Sequence, residues 1–193
     1  MSAIDPAEFY SRLADHGIDL FAGVPDSLLQ DLCACIEDRS PREKNLITAN
    51  EGNAIGVACG YHISTGRYAA VYLQNSGLGN TVNPLLSLAH RQVYSVPMLL
   101  IIGWRGEPGV EDEPQHVAQG RLTLPILDTL EIPYQVVEPD IWVEQLDRAV
   151  DQLRSASAPV ALVVRKGTFS KYAAVERPSD LTLTREATLE LVL

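Results

Sequence analysis

The chain reads as α/β: an open, mostly parallel six-stranded sheet with helices on both faces. Three observations predict this. Six short apolar runs alternate with helical patterns along the 193 residues. One run, Met98-Leu99-Leu100-Ile101-Ile102-Gly103, is apolar without a break, as a central parallel strand buried on both faces requires. Polar and glycine-rich segments follow the apolar runs, where such a sheet has its ligand crevice.

The elements follow in order. Asp5-Pro6-Ala7-Glu8 supplies an N-cap, a proline at the first helical position and a capping acid, and Gly17 stops that helix. Asp19 to Gly23 is the first strand, with a helix from about Ser27 to Asp38. Leu46 to Thr48 is the second strand, and Asn50 caps a helix ending near Gly66. Ala69 to Leu73 is the third strand, followed by a helix near Leu78 to His90. Met98 to Gly103 is the fourth strand. The stretch from Gly103 to Gln119 is read as a long loop, and a loop of that length in a compact domain is usually functional. Tyr134 to Val137 and Val160 to Val164 are the last two strands, with a helix from about Ile141 to Ser155 between them. Residues 1–173 form one domain. Residues 174–193 form a polar linker, Glu176 to Asp180, and the start of a further helix capped by Thr184.

Composition narrows the function. The formal net charge is -10, which argues against a nucleic-acid partner, because phosphate neutralisation needs a basic face. No apolar run spans a bilayer and the first residues are polar and acidic, so neither a membrane segment nor a signal peptide is expected. Cys33, Cys35 and Cys59 fit neither a bridge nor a zinc site. They are expected as reduced, buried thiols of a cytoplasmic protein.

Several motifs fail. Gly77-Leu78-Gly79 imitates a dinucleotide fingerprint but lacks the third glycine, and no acid occurs between Gly79 and Glu107 to hold a ribose. No Walker A loop and no Gly-x-Ser-x-Gly elbow occurs. The four histidines show no metal spacing, and only His116 falls in a candidate site loop.

Glu51 stands out. It follows a strand at a helix start, among small residues, in Ala49-Asn50-Glu51-Gly52-Asn53-Ala54. It is either a site carboxylate or a first-turn acid that favours the helix dipole.

Four loops occur together in one order: Gly23-Val24-Pro25-Asp26-Ser27, the Glu51 segment, Gln74-Asn75-Ser76-Gly77-Leu78-Gly79-Asn80, and Trp104-Arg105-Gly106-Glu107 through Gln115-His116. Over residues 5–172 this set resembles the pyrimidine-binding domain of thiamine-diphosphate-dependent decarboxylases. Within that family it is most similar to phosphonopyruvate decarboxylases, and next to sulfopyruvate decarboxylases.

The resemblance implies that Glu51 hydrogen-bonds the aminopyrimidine of thiamine diphosphate and so promotes loss of the thiazolium C2 proton. It implies that Asp26 and His116 manage protons, and that Asn75, Gly77, Gly23 and Pro25 line the cofactor. Asp26, Ser27, Arg105 and Gln115 would meet a small anionic 2-oxo acid. The residues themselves also allow Asp26 to be only a helix cap, and Arg105 to pair with Glu107, Glu111, Asp112 or Glu113. The family's diphosphate and Mg²⁺ sit on a Gly-Asp-Gly segment, which this sequence lacks. A diphosphate-binding subunit or domain is therefore expected as partner, in a dimer or higher oligomer. A non-catalytic regulatory or assembly module is the other class of reading.

Overall fold

The computed structural model describes residues 3–175 and 185–192. Six strands form one sheet: β1 (Ile18–Gly23), β2 (Asn45–Ile47), β3 (Tyr68–Gln74), β4 (Leu99–Gly103), β5 (Tyr134–Val136) and β6 (Val160–Val164). Their spatial order is β2-β1-β3-β4-β6-β5, and every pair is parallel. The expected architecture is thus observed, and the sheet is parallel throughout.

Alternation along the strands sends side chains to two cores. On one face, Phe9 and Leu13 of α1 (Pro6–Asp15), Leu32 and Ile36 of α2 (Gln30–Arg39) and Leu146, Val150 and Leu153 of α6 (Trp142–Ala156) meet Phe21, Tyr72, Ile101 and Leu162. On the other, Ala54, Ile55 and Ala58 of α3 (Glu51–Thr65), Leu78 of α4 (Leu78–Pro84) and Leu127 of α5 (Pro114–Thr129) meet Val71, Leu73, Leu100 and Val163. Each fully buried Phe, Leu or Ile stabilises the fold by about 1.5–3 kcal/mol.

The sequence signals account for most helix ends. Asp5 accepts from Ala7 N at 2.7 Å, and Asn50 accepts from Asn53 N at 3.0 Å. Gly17 and Gly66 adopt the left-handed backbone that stops α1 and α3. The helix expected at Leu78 to His90 changes character after Pro84, and Leu85–Ala89 forms a π turn. Pro84 lacks the N–H that a regular turn would use there.

One expectation is corrected. The loop read as reaching Gln119 ends at Glu113, and α5 begins at Pro114. A further helix, α7, spans Arg185–Val192. The expected linker at 176–180 and the Thr184 cap lie outside the described residues.

Asp147 ties α1 to α6. It accepts from Arg12 Nε at 2.8 Å and Nη2 at 2.5 Å, and meets His16 Nε2 at 2.7 Å. The Arg12 guanidinium holds its carboxyl down at about 2. A depressed carboxyl stabilises the fold above its unfolded value of about 3.9 and loses that contribution as pH falls toward 2. Asp147→Asn should lower the thermal midpoint at pH 7, with the two midpoints converging near pH 2. Midpoints measured across that range check it.

Candidate active site

The carboxyl ends of β1 and β3 are neighbours, while the chain leaves β1 toward β2 on the other side. This is the switch point where open α/β sheets bind ligands. The loops after β1, β2, β3 and β4 gather there.

Glu51 opens α3. Thr48 N donates to Gly23 O at 2.9 Å and Thr48 Oγ1 to Asn50 O at 2.9 Å, which fixes the entry to the helix. The Glu51 residue is 9% exposed, and its Oε2 accepts from Asn80 Nδ2 at 2.7 Å. Its carboxylate lies over Gly77: a Cβ there would stand 2.2 Å from Oε1. Gly52 brings the same helix end against α4, since a Cβ on it would stand 2.7 Å from Asn80 O.

Asp26 sits under the other side of the crevice. Its Oδ2 caps the 3₁₀ turn Ser27–Leu29 by accepting from Leu28 N at 3.1 Å. The residue is 5% exposed, and its Oδ1 has no hydrogen-bond partner. Burial pushes its carboxyl up, opposed by the Leu28 N–H and by Arg105. Gly23 and Gly103 are required for space. A Cβ on Gly23 would stand 2.0 Å from Tyr72 O, and one on Gly103 would stand 2.0 Å from Asp26 Oδ2.

Arg105 bridges two of the loops. Its Nε and Nη2 donate to Asp112 at 2.8 and 2.5 Å, and its Nη1 donates to Ser27 Oγ at 3.0 Å. The Arg105 guanidinium, with the Gly106 and Glu113 N–H groups, holds the Asp112 carboxyl well below the usual carboxylate range. Of the loop acids considered at the sequence level, Asp112 is the partner.

Asn75 is buried and spends its carboxamide inside the protein. Its Nδ2 donates to Arg105 O and to Thr123 Oγ1, both at 2.8 Å, and its Oδ1 accepts from Arg105 N at 3.1 Å. Gln119 Nε2 donates to Ser76 O at 3.2 Å. These bonds tie the Asn75–Gly77 turn to the Arg105 loop and to α5. Pro25 and Gln115 are exposed, and His116 is half-buried in the first turn of α5. The structure therefore forms two groups, Glu51 with Gly77 and Asp26 with Ser27 and Arg105, joined through Asn75.

Asn80, Gln119 and Thr123 were not singled out from the sequence, and Asp112 was only one of four acids open to Arg105. Asn80 lay inside a recognised loop. Gln119 and Thr123 carry no local signal, because their roles arise from contacts 43 and 48 residues away.

The family model for the thiamine pyrophosphate enzyme N-terminal TPP-binding domain matches residues 7–130. The chain belongs to this family. Glu51, Asp26, Asn75, Gly77 and Arg105 all fall within the matched span. Two curated relatives show the branch. A phosphonopyruvate decarboxylase of Streptomyces viridochromogenes is 34% identical over 194 residues, which is 98% of this chain and 46% of that protein. Sulfopyruvate decarboxylase subunit alpha of Methanocaldococcus jannaschii is 34% identical over 158 residues, 80% of this chain and 89% of that subunit. The chain thus spans about half the length of the phosphonopyruvate decarboxylases it matches. A thiamine diphosphate-dependent 4-hydroxybenzoylformate decarboxylase of Rhodococcus jostii RHA1 superposes with a TM-score of 0.65 at 21% identity, over 98% of this chain and 37% of that one, a likeness of fold. The expected family and fold are both found. Among the described residues no helix is long and apolar enough to cross a membrane.

Proposed function

We propose that the chain is the pyrimidine-binding part of a thiamine-diphosphate-dependent decarboxylase that converts phosphonopyruvate to phosphonoacetaldehyde and CO2. The observation that carries this reading is Glu51: a buried carboxylate on a helix start, held over a glycine in a domain of the TPP-binding family. These residues fit the pyrimidine end of the cofactor, since an acceptor faces a surface kept clear of side-chain atoms. Bound thiamine diphosphate supplies a carbon nucleophile and an electron sink for loss of CO2.

The chain's own residues orient and move protons. Glu51 holds a proton against a ring nitrogen of the aminopyrimidine, with Asn80 fixing its other oxygen. Asp26, whose burial favours the protonated form, delivers a proton to the reacting carbon or oxygen. Arg105, steadied by Asp112 and Ser27, presents its remaining N–H groups to the phosphonate, because a guanidinium forks onto tetrahedral oxyanions. His116 and Gln115 serve the substrate from the start of α5. Gly77, Gly23 and Pro25 shape the cofactor surface, and Asn75 sets the position of Gly77 and Arg105.

Among the described residues no group of three or more His, Cys, Asp or Glu could hold a metal ion. We assign Mg²⁺ and the diphosphate to a second subunit or domain, and the working site to a dimer or higher oligomer. This is consistent with the chain's share of its relatives' length.

A sulfopyruvate decarboxylase subunit is the second reading. It is favoured by the near-complete coverage of the methanogen alpha subunit. Turnover of phosphonopyruvate, sulfopyruvate and pyruvate, by the chain mixed with a partner carrying the Gly-Asp-Gly segment, separates the two. Arg105→Lys should raise KM for the preferred oxyanion about 10-fold or more and leave KM for pyruvate nearly unchanged. Equal effects on both substrates would remove Arg105 from oxyanion recognition. No turnover with any 2-oxo acid would leave the domain a non-catalytic module.

A further inference from the structure

Among the described residues, two buried side-chain N or O atoms lack a hydrogen-bond partner: Asp26 Oδ1 and Gln74 Nε2. Folded proteins rarely leave such groups unpaired. The sheet register brings their residues to neighbouring positions. Gln74 on β3 pairs with Gly103 on β4. Two residues earlier on each strand, Tyr72 and Ile101 both pack into the core under α1, α2 and α6. Gln74 and the Cβ direction of Gly103 therefore share that face. The place a Cβ of Gly103 would take is filled by the Asp26 carboxyl, with Oδ2 at 2.0 Å and Cγ at 3.0 Å from it. Adjacent strands are about 4.8 Å apart, so Gln74 rises immediately beside this carboxyl.

The two atoms are complementary in kind. An ionised carboxylate oxygen only accepts and an amide nitrogen only donates. They do not bond each other. Other groups facing Asp26 are committed. Leu28 N serves Oδ2, and Arg105, turned onto Asp112 and Ser27, makes no bond to Oδ1. Cys33 of α2 interacts with Asp26; burial pushes its thiol up to about 12, which keeps it a neutral, weak S–H donor, and it makes no bond to Oδ1.

We infer that Asp26 and Gln74 together bind a single oxygen that both donates and accepts, a water or a hydroxyl, and that Gln74 is a positioning residue acting on Asp26 through it. Against the ionised carboxylate a carbonyl could satisfy only Gln74 and an ammonium only Asp26, whereas a water or hydroxyl serves that form and, by accepting, the protonated form that burial favours. The bound oxygen gives its hydrogen to Oδ1 and accepts from Nε2. It thereby supports the ionised carboxylate against burial and aims its proton path into the crevice. The catalytic use of this pair rests on the proposed decarboxylase reading; the oxygen site does not.

A high-resolution crystal structure of the 193-residue chain should show one ordered oxygen about 2.7–3.0 Å from both atoms. In crystals of the assembled enzyme soaked with phosphonopyruvate, retention of that oxygen as a separate atom identifies water. Its replacement by a ligand oxygen identifies a hydroxyl of the bound species. Carbon-13 carboxyl NMR should show the Asp26 titration midpoint rising by about one pH unit in Gln74→Met, which keeps the volume but removes the donor. Gln74→Glu should raise it further. An Asp26 midpoint unmoved in a folded Gln74→Met variant, or a direct Gln74 to Asp26 bond in the crystal, overturns the inference. A bridging oxygen in a protein with no decarboxylase activity would instead sink the functional reading alone.

Discussion

Glu51→Gln is expected to lower decarboxylation by about 10²–10⁴-fold and to leave the fold intact. The substitution is nearly isosteric. The new carbonyl oxygen can still accept from Asn80 Nδ2, as Oε2 does at 2.7 Å. The amide NH₂ then occupies the place of Oε1 above Gly77. A donor replaces an acceptor where a proton on the aminopyrimidine must be held. The loss is therefore one of hydrogen-bond polarity, not of shape. A thermal midpoint within a few degrees of the parent, with kcat reduced and the KM of phosphonopyruvate little changed, would match this account. Full activity in the reconstituted enzyme would remove Glu51 from the chemistry. A large fall in stability would make it a structural acid of the α3 terminus.

Much of the fold could be read before the structure because its signals are local. The continuous apolar run at 98–103 became a fully buried central strand. Asn50 and Gly66, a polar cap and a left-handed stop, bound α3. Helix α5 escaped because its sequence carries breakers at three points: Pro114, Gly120 and Pro125. Two of them are explained by a partner or position outside the local pattern. Pro114 opens the helix, where no N–H is needed. Gly120 admits the backbone of the preceding loop, since a Cβ on it would stand 1.6 Å from Gly106 O. Its carbonyl also accepts from Trp104 Nε1 at 2.8 Å. Tertiary contact, not propensity, decides that segment.

The same division holds in the candidate site. Glu51, Asp26 and Arg105 were visible because charged residues in glycine-rich loops after strands are unusual. Which acid would hold Arg105 was not visible. Asp112 is selected by the turn at Gly106, whose backbone has positive φ and whose N–H donates to the same carboxylate. Nor could the sequence reveal that Asn75 faces inward, because both of its side-chain partners lie about thirty or more residues downstream.

Gly77→Ala should be the most informative single-methyl change. Gly77 has φ -80 and ψ -8, a right-handed conformation open to any residue. Its glycine is therefore required by space alone. An added Cβ would meet Glu51 Oε1, Cδ and Cγ at 2.2, 2.3 and 2.5 Å. Rotating the carboxylate end cannot clear all three atoms. The Asn50 cap and the Gly52–Asn80 contact keep the start of α3 from retreating. The Glu51 side chain must swing off the platform and break its bond to Asn80. Overpacking of this kind costs about 1–3 kcal/mol. The activity lost should approach that of Glu51→Gln, because the carboxylate has left its place. Two comparisons isolate the cause. Gly79→Ala, with nothing within 4 Å of its added Cβ, should fold and turn over like the parent. Combining Gly77→Ala with Glu51→Ala should recover stability without activity, since trimming the acid removes the clash. Additive losses in that double variant would mean that Gly77 and Glu51 act independently, which contact at these distances does not allow.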